Sequence, residues 1–167
     1  MPISFFSRKP KEVPVLAASA PVKAEIVYDP GLIETLIQQH RELVLLLDKA
    51  KGVVQAKRFE DVRGMLEQFG IGLAAHVKRE NSELHPYITA RLKSDDRIAI
   101  VKDMLVGALR TERAVNGFLK HYGGYPVTDR NAATFYGEID GVTTEFKRWI
   151  TQEESFVYTL YKSPEDY

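Results

Sequence analysis

The 167-residue chain contains no cysteine, which excludes disulfides, iron–sulfur clusters and thiol nucleophiles and fits a reducing compartment such as the cytoplasm. It also lacks a surplus of charge. Its 23 Lys+Arg balance 23 Asp+Glu to a formal net charge of zero, so bulk electrostatics point to neither nucleic acid nor a membrane surface as a partner. No run approaches the roughly eighteen apolar residues of a membrane span. There is no glycine-rich phosphate loop, and no serine or threonine with a base and an orienting group beside it, so the protein is expected not to be an enzyme. Alternating strand patterns are missing as well.

The chain is the length of one ordinary domain, able to bury a core without staples. Its first stretch, RKPKEVPVLAASA, has the charge-then-apolar order of a signal peptide, but the apolar part is short and begins at a proline. Residues 1–28 therefore read as a flexible Pro/Ala-rich N-terminal arm, and residues 163–167 as a short C-terminal tail.

Between them, helical periodicity is the strongest signal. After Asp29-Pro30, a good helix start, Leu32, Leu36, Leu43 and Leu47 recur at three- and four-residue steps and predict a helix over about 30–52. Phe59, Val62, Leu66, Phe69, Leu73, His76, Val77, Glu80 and Leu84 predict a second helix, ending near Leu92 with a kink at Pro86. Ser94-Asp95-Asp96 caps a third, whose stripe runs through Val101, Leu105, Leu109, Glu112 or Arg113, Asn116 and Leu119 until Gly123-Gly124-Tyr125-Pro126 stops it. Asp129 opens a fourth through Phe135, Ile139, Phe146, Trp149, Glu153 and Val157. Four amphipathic helices joined by short loops predict an all-α, up-down-up-down bundle over 29–162.

The halves repeat. Offset by 73 positions, LIQQHREL falls on LRTERAVN and AAHVKRENSEL on KRWITQEESFV, so His40 meets Arg113, His76 meets Trp149 and Glu80 meets Glu153. Two hairpins about a pseudo-two-fold axis would bring all six positions to one level in the core.

This pattern resembles the hemerythrin-like (HHE) family, four-helix bundles that hold two irons between histidines and carboxylates. The markers are LIQQHREL, the H-x-x-x-E of HVKRENSELHP, and ITQEESFVYTLY. The likeness places His40, His76, Glu80 and Glu153 at ligand positions and implies histidines where this chain has Arg113 and Trp149. A permanent guanidinium repels a cation and attracts carboxylates. The first expectation is therefore a metal-free regulatory module with no cofactor, in which Arg113 bridges Glu80 and Glu153, the Trp149 indole fills the remaining volume, and an unknown protein partner docks to the surface. The alternative is an iron-binding sensor or carrier of oxygen, nitric oxide or redox state, with one or two irons on His40, His76, Glu80 and Glu153, or on Glu112 in place of the last. His85 is expected to point away from the ligand stripe. His121 is expected to add favourable charge at a helix C-terminus. The aromatic set that includes Tyr158 and Tyr161 is expected to be core.

Overall fold

The structure, a computed structural model, describes residues 26–167. The predicted arm lies almost wholly outside the described residues, but Ile26 and Tyr28 already pack on the bundle, and the Tyr28 ring stacks on Tyr161 at 5.1 Å. The chain forms α1 (Leu32–Gln55), α2 (Phe59–Arg79), a π-helical turn (Glu80–Leu84), α3 (His85–Arg91), α4 (Asp95–Gly124), α5 (Ala132–Gln152) and a second π-helical turn (Glu153–Val157). No strand occurs among the described residues. With α3 continuing α2 across the first π turn, these elements make the four-helix bundle that the periodicity predicts. No helix among the described residues is long and apolar enough to cross a membrane.

The entry to α1 is fixed at both ends of the chain. Asp29 Oδ1 accepts the Gly31 N–H at 2.8 Å, while Tyr161 Oη accepts the Asp29 N–H at 2.8 Å and donates to the Asp29 carbonyl at 3.2 Å. The expected tail folds back as well: Tyr167 Oη donates to the Leu160 carbonyl. Of the helical glycines, only Gly70 and Gly72 have crowded surroundings. A Cβ at Gly72 would lie 3.1 Å from Leu43, and one at Gly70 would lie 3.3 Å from Leu119, so α2 runs close to its neighbours at these two points.

Two apolar clusters fill the interior. One gathers Leu43, Leu47, Leu66, Phe69, Leu73, Ile139 and Phe146. The other gathers Leu32, Leu36, Leu84, Tyr87, Ile88, Val157 and Leu160. Each fully buried Leu, Ile or Phe contributes about 1.5–3 kcal/mol. On α1, on α2 with its π turn, and on α5 with its π turn, the residues between the clusters are polar: His40, His76, Glu80 and Glu153. A buried polar layer thus separates two dry layers.

Candidate metal centre

Helical spacing places each polar side chain in this layer. His40 lies four residues after Leu36 and three before Leu43, and His76 three after Leu73, so both share the inward stripe of their helices. Glu80 and Glu153 each open a π turn, and they are 73 positions apart, as the repeat requires. The four are 1%, 0%, 2% and 3% exposed, a depth at which charged groups are rarely found unpaired. One ligand-type atom from each lies within 4.8 Å of all the others.

The tautomers of both rings are set from outside. His40 Nδ1 faces Glu154 Oε1 at 2.8 Å, and an ionised carboxylate only accepts, so Nδ1 carries the proton. His76 Nδ1 donates in the same way to Gln39 Oε1 at 3.1 Å. In the neutral form of these tautomers each Nε2 presents a lone pair to the other ring, and the two atoms stand 3.0 Å apart. Burial first, and the neighbouring His76 second, hold the pKa of His40 below its ordinary value, which keeps the ring neutral.

The carboxylates differ. Burial tends to raise the pKa of Glu80, but contact with His76, then the charge of His85 and the Tyr158 hydroxyl, outweigh it and leave the group low. Tyr158 Oη donates to Glu80 Oε1 at 2.8 Å, and His76 Nε2 lies 3.4 Å from the same oxygen. Glu153 is held well above the ordinary range by burial and then by the charge of Glu80. Its Oε2 lies 3.5 Å from His40 Nε2 and is buried without a hydrogen-bond partner. The Trp149 indole beside it opposes the rise, but Trp149 Nε1 is also without a well-formed hydrogen bond.

Two bare imidazole nitrogens and two buried carboxylates, one of them unpartnered, form a donor set short of positive charge. Imidazole with carboxylate suits iron, zinc and similar divalent ions. Each imidazole donates its Nδ1–H to an acceptor outside the layer, which is the usual support of a metal-bound histidine. The residues present therefore fit one cation, whose two positive charges would offset the two carboxylates.

The Arg-centred core is overturned. Arg113 is exposed, and among the described residues the ion pairs of Glu80 and Glu153 are with His76 and His40. The cause is rotational. The inward face of α4 is set by Val115, Phe118 and Tyr122, and a step of two residues back from Val115 turns about 200° round the helix to the far side. Nearer that face lie Ala108, Thr111 and Glu112, which line a cavity of about 180 Å³ together with Glu80, His85 and Trp149. Where the family resemblance implied a third-helix histidine, this chain has open space bordered by a half-buried Glu112. Trp149 is buried against both site histidines, with ring centroids 5.7 Å from His40 and 5.9 Å from His76.

His85 also departs from expectation: it lines the cavity. Its Nδ1 pairs with Asn81 Oδ1 at 3.2 Å, and its Nε2 is buried and unpartnered. The π turn adds a residue to the helical repeat and swings His85 toward the Glu80 side. His121 is exposed in the last turn of α4, away from the site. Three residues in or beside the layer were missed in the sequence: Tyr158 within it, and Gln39 and Glu154 at its half-buried edge. The two supporting acceptors each sit beside a ligand position in sequence, Gln39 before His40 and Glu154 after Glu153, and adjacency was the available signal.

Searches of characterised proteins and of solved structures each gave no match. The family description "Hemerythrin HHE cation binding domain" matches residues 31–161, which spans the whole bundle and all four buried ligand-type residues. By this match over most of its length, the chain belongs to the hemerythrin HHE cation-binding family.

Proposed function

We propose that the bundle binds one metal ion, iron in the first instance, through His40 Nε2, His76 Nε2, Glu80 and Glu153, and that it serves as a sensor or carrier of oxygen, nitric oxide or redox state. In this reading it is a binding module rather than an enzyme. One observation carries it: with their Nδ1–H groups committed to Glu154 and Gln39, the two histidines bring their Nε2 atoms within 3.0 Å of each other, while the Tyr158 hydroxyl gives its proton to Glu80. Facing lone pairs in a dry core repel, and a cation between them removes the repulsion. Iron bound there would supply a redox couple and an open coordination position. The chain's own contribution is to hold four donors in place, to fix the tautomers through Glu154 and Gln39, and to keep bulk water out with the apolar clusters on either side. The cavity bordered by Glu80 and Trp149 offers a small molecule a place beside the site.

Elemental analysis of untagged protein produced with supplied iron tests the reading. Close to one ion per chain is expected, with loss of the ion in His76→Ala. A folded wild-type chain that takes up neither iron nor zinc would refute it.

A second reading, regulation through a protein partner, is favoured by α4, which exposes Ile100, Val106 and Leu109 at 46%, 48% and 50%. A photoreactive amino acid at Leu109 that yields no adduct in cells would remove it.

A further inference from the structure

Tyr158 stands inside the polar layer, although it follows Glu153 by five residues and would turn away from it in a regular α-helix. The second π turn makes the difference, because its hydrogen bonds join residues five apart. The same relation holds in the other half, where His85 follows Glu80 by five residues and lines the cavity at the site. The repeat thus gives each hairpin a carboxylate at the start of a π turn and a side chain capable of ligation one turn later.

The distances around Tyr158 Oη match those among the four donors. Donors that share a cation at bond lengths of about 2.0–2.2 Å lie about 2.8–3.6 Å from their neighbours, whether the angle between bonds is octahedral or tetrahedral. His40 Nε2 lies 3.0 Å from His76 Nε2 and 3.5 Å from Glu153 Oε2, and His76 Nε2 lies 3.4 Å from Glu80 Oε1. Tyr158 Oη lies 2.8 Å from Glu80 Oε1 and 3.3 Å from His40 Nε2. A hydrogen bond to Glu80 accounts for the first of these. It does not account for the second, since the phenol has a single proton. The ring is held by parallel stacking on His40, at 5.6 Å and an interplanar angle of 6°, so Oη has little freedom to leave.

We infer that Tyr158 is a fifth donor of the metal centre, its Oη joining His40 Nε2, His76 Nε2, Glu80 and Glu153 around one cation. The inference rests on the metal-binding reading above. On coordination the O–H bond breaks, an oxygen lone pair is shared with the ion and the proton passes to solvent, as metal binding generally releases protons. Two carboxylates and a phenolate carry three negative charges, which favour ferric over ferrous iron.

The test loads wild-type protein and Tyr158→Phe with one equivalent of Fe(II) without air, then oxidises each with ferricyanide, which accepts one electron per iron, and desalts. Wild type is expected to show a visible phenolate-to-iron charge-transfer band and phenolate ring modes in resonance Raman excited within it. Tyr158→Phe is expected to retain iron, to lose both signals and to have a higher reduction potential. Iron-loaded wild type without the band, or a band that survives in Tyr158→Phe, overturns the ligand assignment and leaves the four-residue site standing. Wild type that retains neither iron nor zinc overturns both. If Tyr158→Phe fails to fold, the Raman spectrum of the wild type decides alone.

Discussion

His40 Nε2 and His76 Nε2 face each other at 3.0 Å, while an acceptor at the other side of each ring engages its Nδ1. The acceptors, Glu154 and Gln39, lie outside the buried layer and would touch no ion, yet they decide which nitrogen is free to bind one.

Replacing either acceptor should therefore weaken metal binding without removing a ligand. Glu154→Ala and Gln39→Ala are each expected to lower affinity by about 10–100-fold, the usual cost of losing a partner of a ligating histidine. Competition titration against a chelator of known strength measures it, and unchanged affinity in both variants would detach the tautomer argument from the site.

Trp149 is the sole tryptophan in the chain, and its ring lies 5.7 Å from His40 and 5.9 Å from His76. Fluorescence of the native protein should thus report the centre directly. Titration with Fe(II) or Co(II), which have unfilled d shells, is expected to quench emission to an end point at one equivalent, whereas filled-shell Zn(II) should compete without comparable quenching. An end point at two equivalents would call for a second ion in the cavity.

Proton competition should have a defined sign. The pKa of Glu153 is raised in the folded chain, by burial first and the charge of Glu80 second. Folded apo-protein accordingly binds a proton that the unfolded chain releases. The stability linked to this group is fully present below the ordinary glutamate pKa and is lost as pH rises through the raised value. Metal affinity should run the other way, increasing over the same interval as the carboxylate ionises. Denaturation of the apo-protein and metal titration, each across a pH series, are expected to give opposite slopes. Parallel slopes would place another group in control.

Arg113→Ala should change stability by no more than about 0.5 kcal/mol, as exposed substitutions do. A loss of about 3–5 kcal/mol in chemical denaturation would instead signal a broken buried pair.

Arg113 also shows how far the sequence could be read. Periodicity located the helices within a few residues, and His40, His76, Glu80 and Glu153 were legible because H-x-x-x-E spacing and the 73-residue repeat agree on α2 and α5. On α4 the predicted stripe and the buried face share Val101, but the stripe then passed through Leu109 and Asn116, whereas the buried residues further on are Val115, Phe118 and Tyr122. Between Val101 and Val115 that helix buries no residue, so its apolar Met104, Leu105, Val106 and Leu109 do not mark an inward face, and the repeat was trusted for a register it does not hold. His85 and Tyr158 escaped for another reason: a reading at 3.6 residues per turn cannot anticipate π turns, which re-aim every side chain that follows them.

The half-covered middle of α4 has an energetic consequence. The four buried ligand-type residues come from α1, from α2 and from the π turns that continue α2 and α5, and none from α4. An ion bound to them stabilises the fold against global unfolding by mass action, but does nothing against an opening that lifts α4 and leaves the donors together. Loading the centre should widen the gap between the slowest-exchanging amides of α1 and α2 and the faster ones at Met104–Glu112. The helix without a ligand then becomes the separate cooperative unit, one whose closure answers to whatever occupies the cavity rather than to the ion.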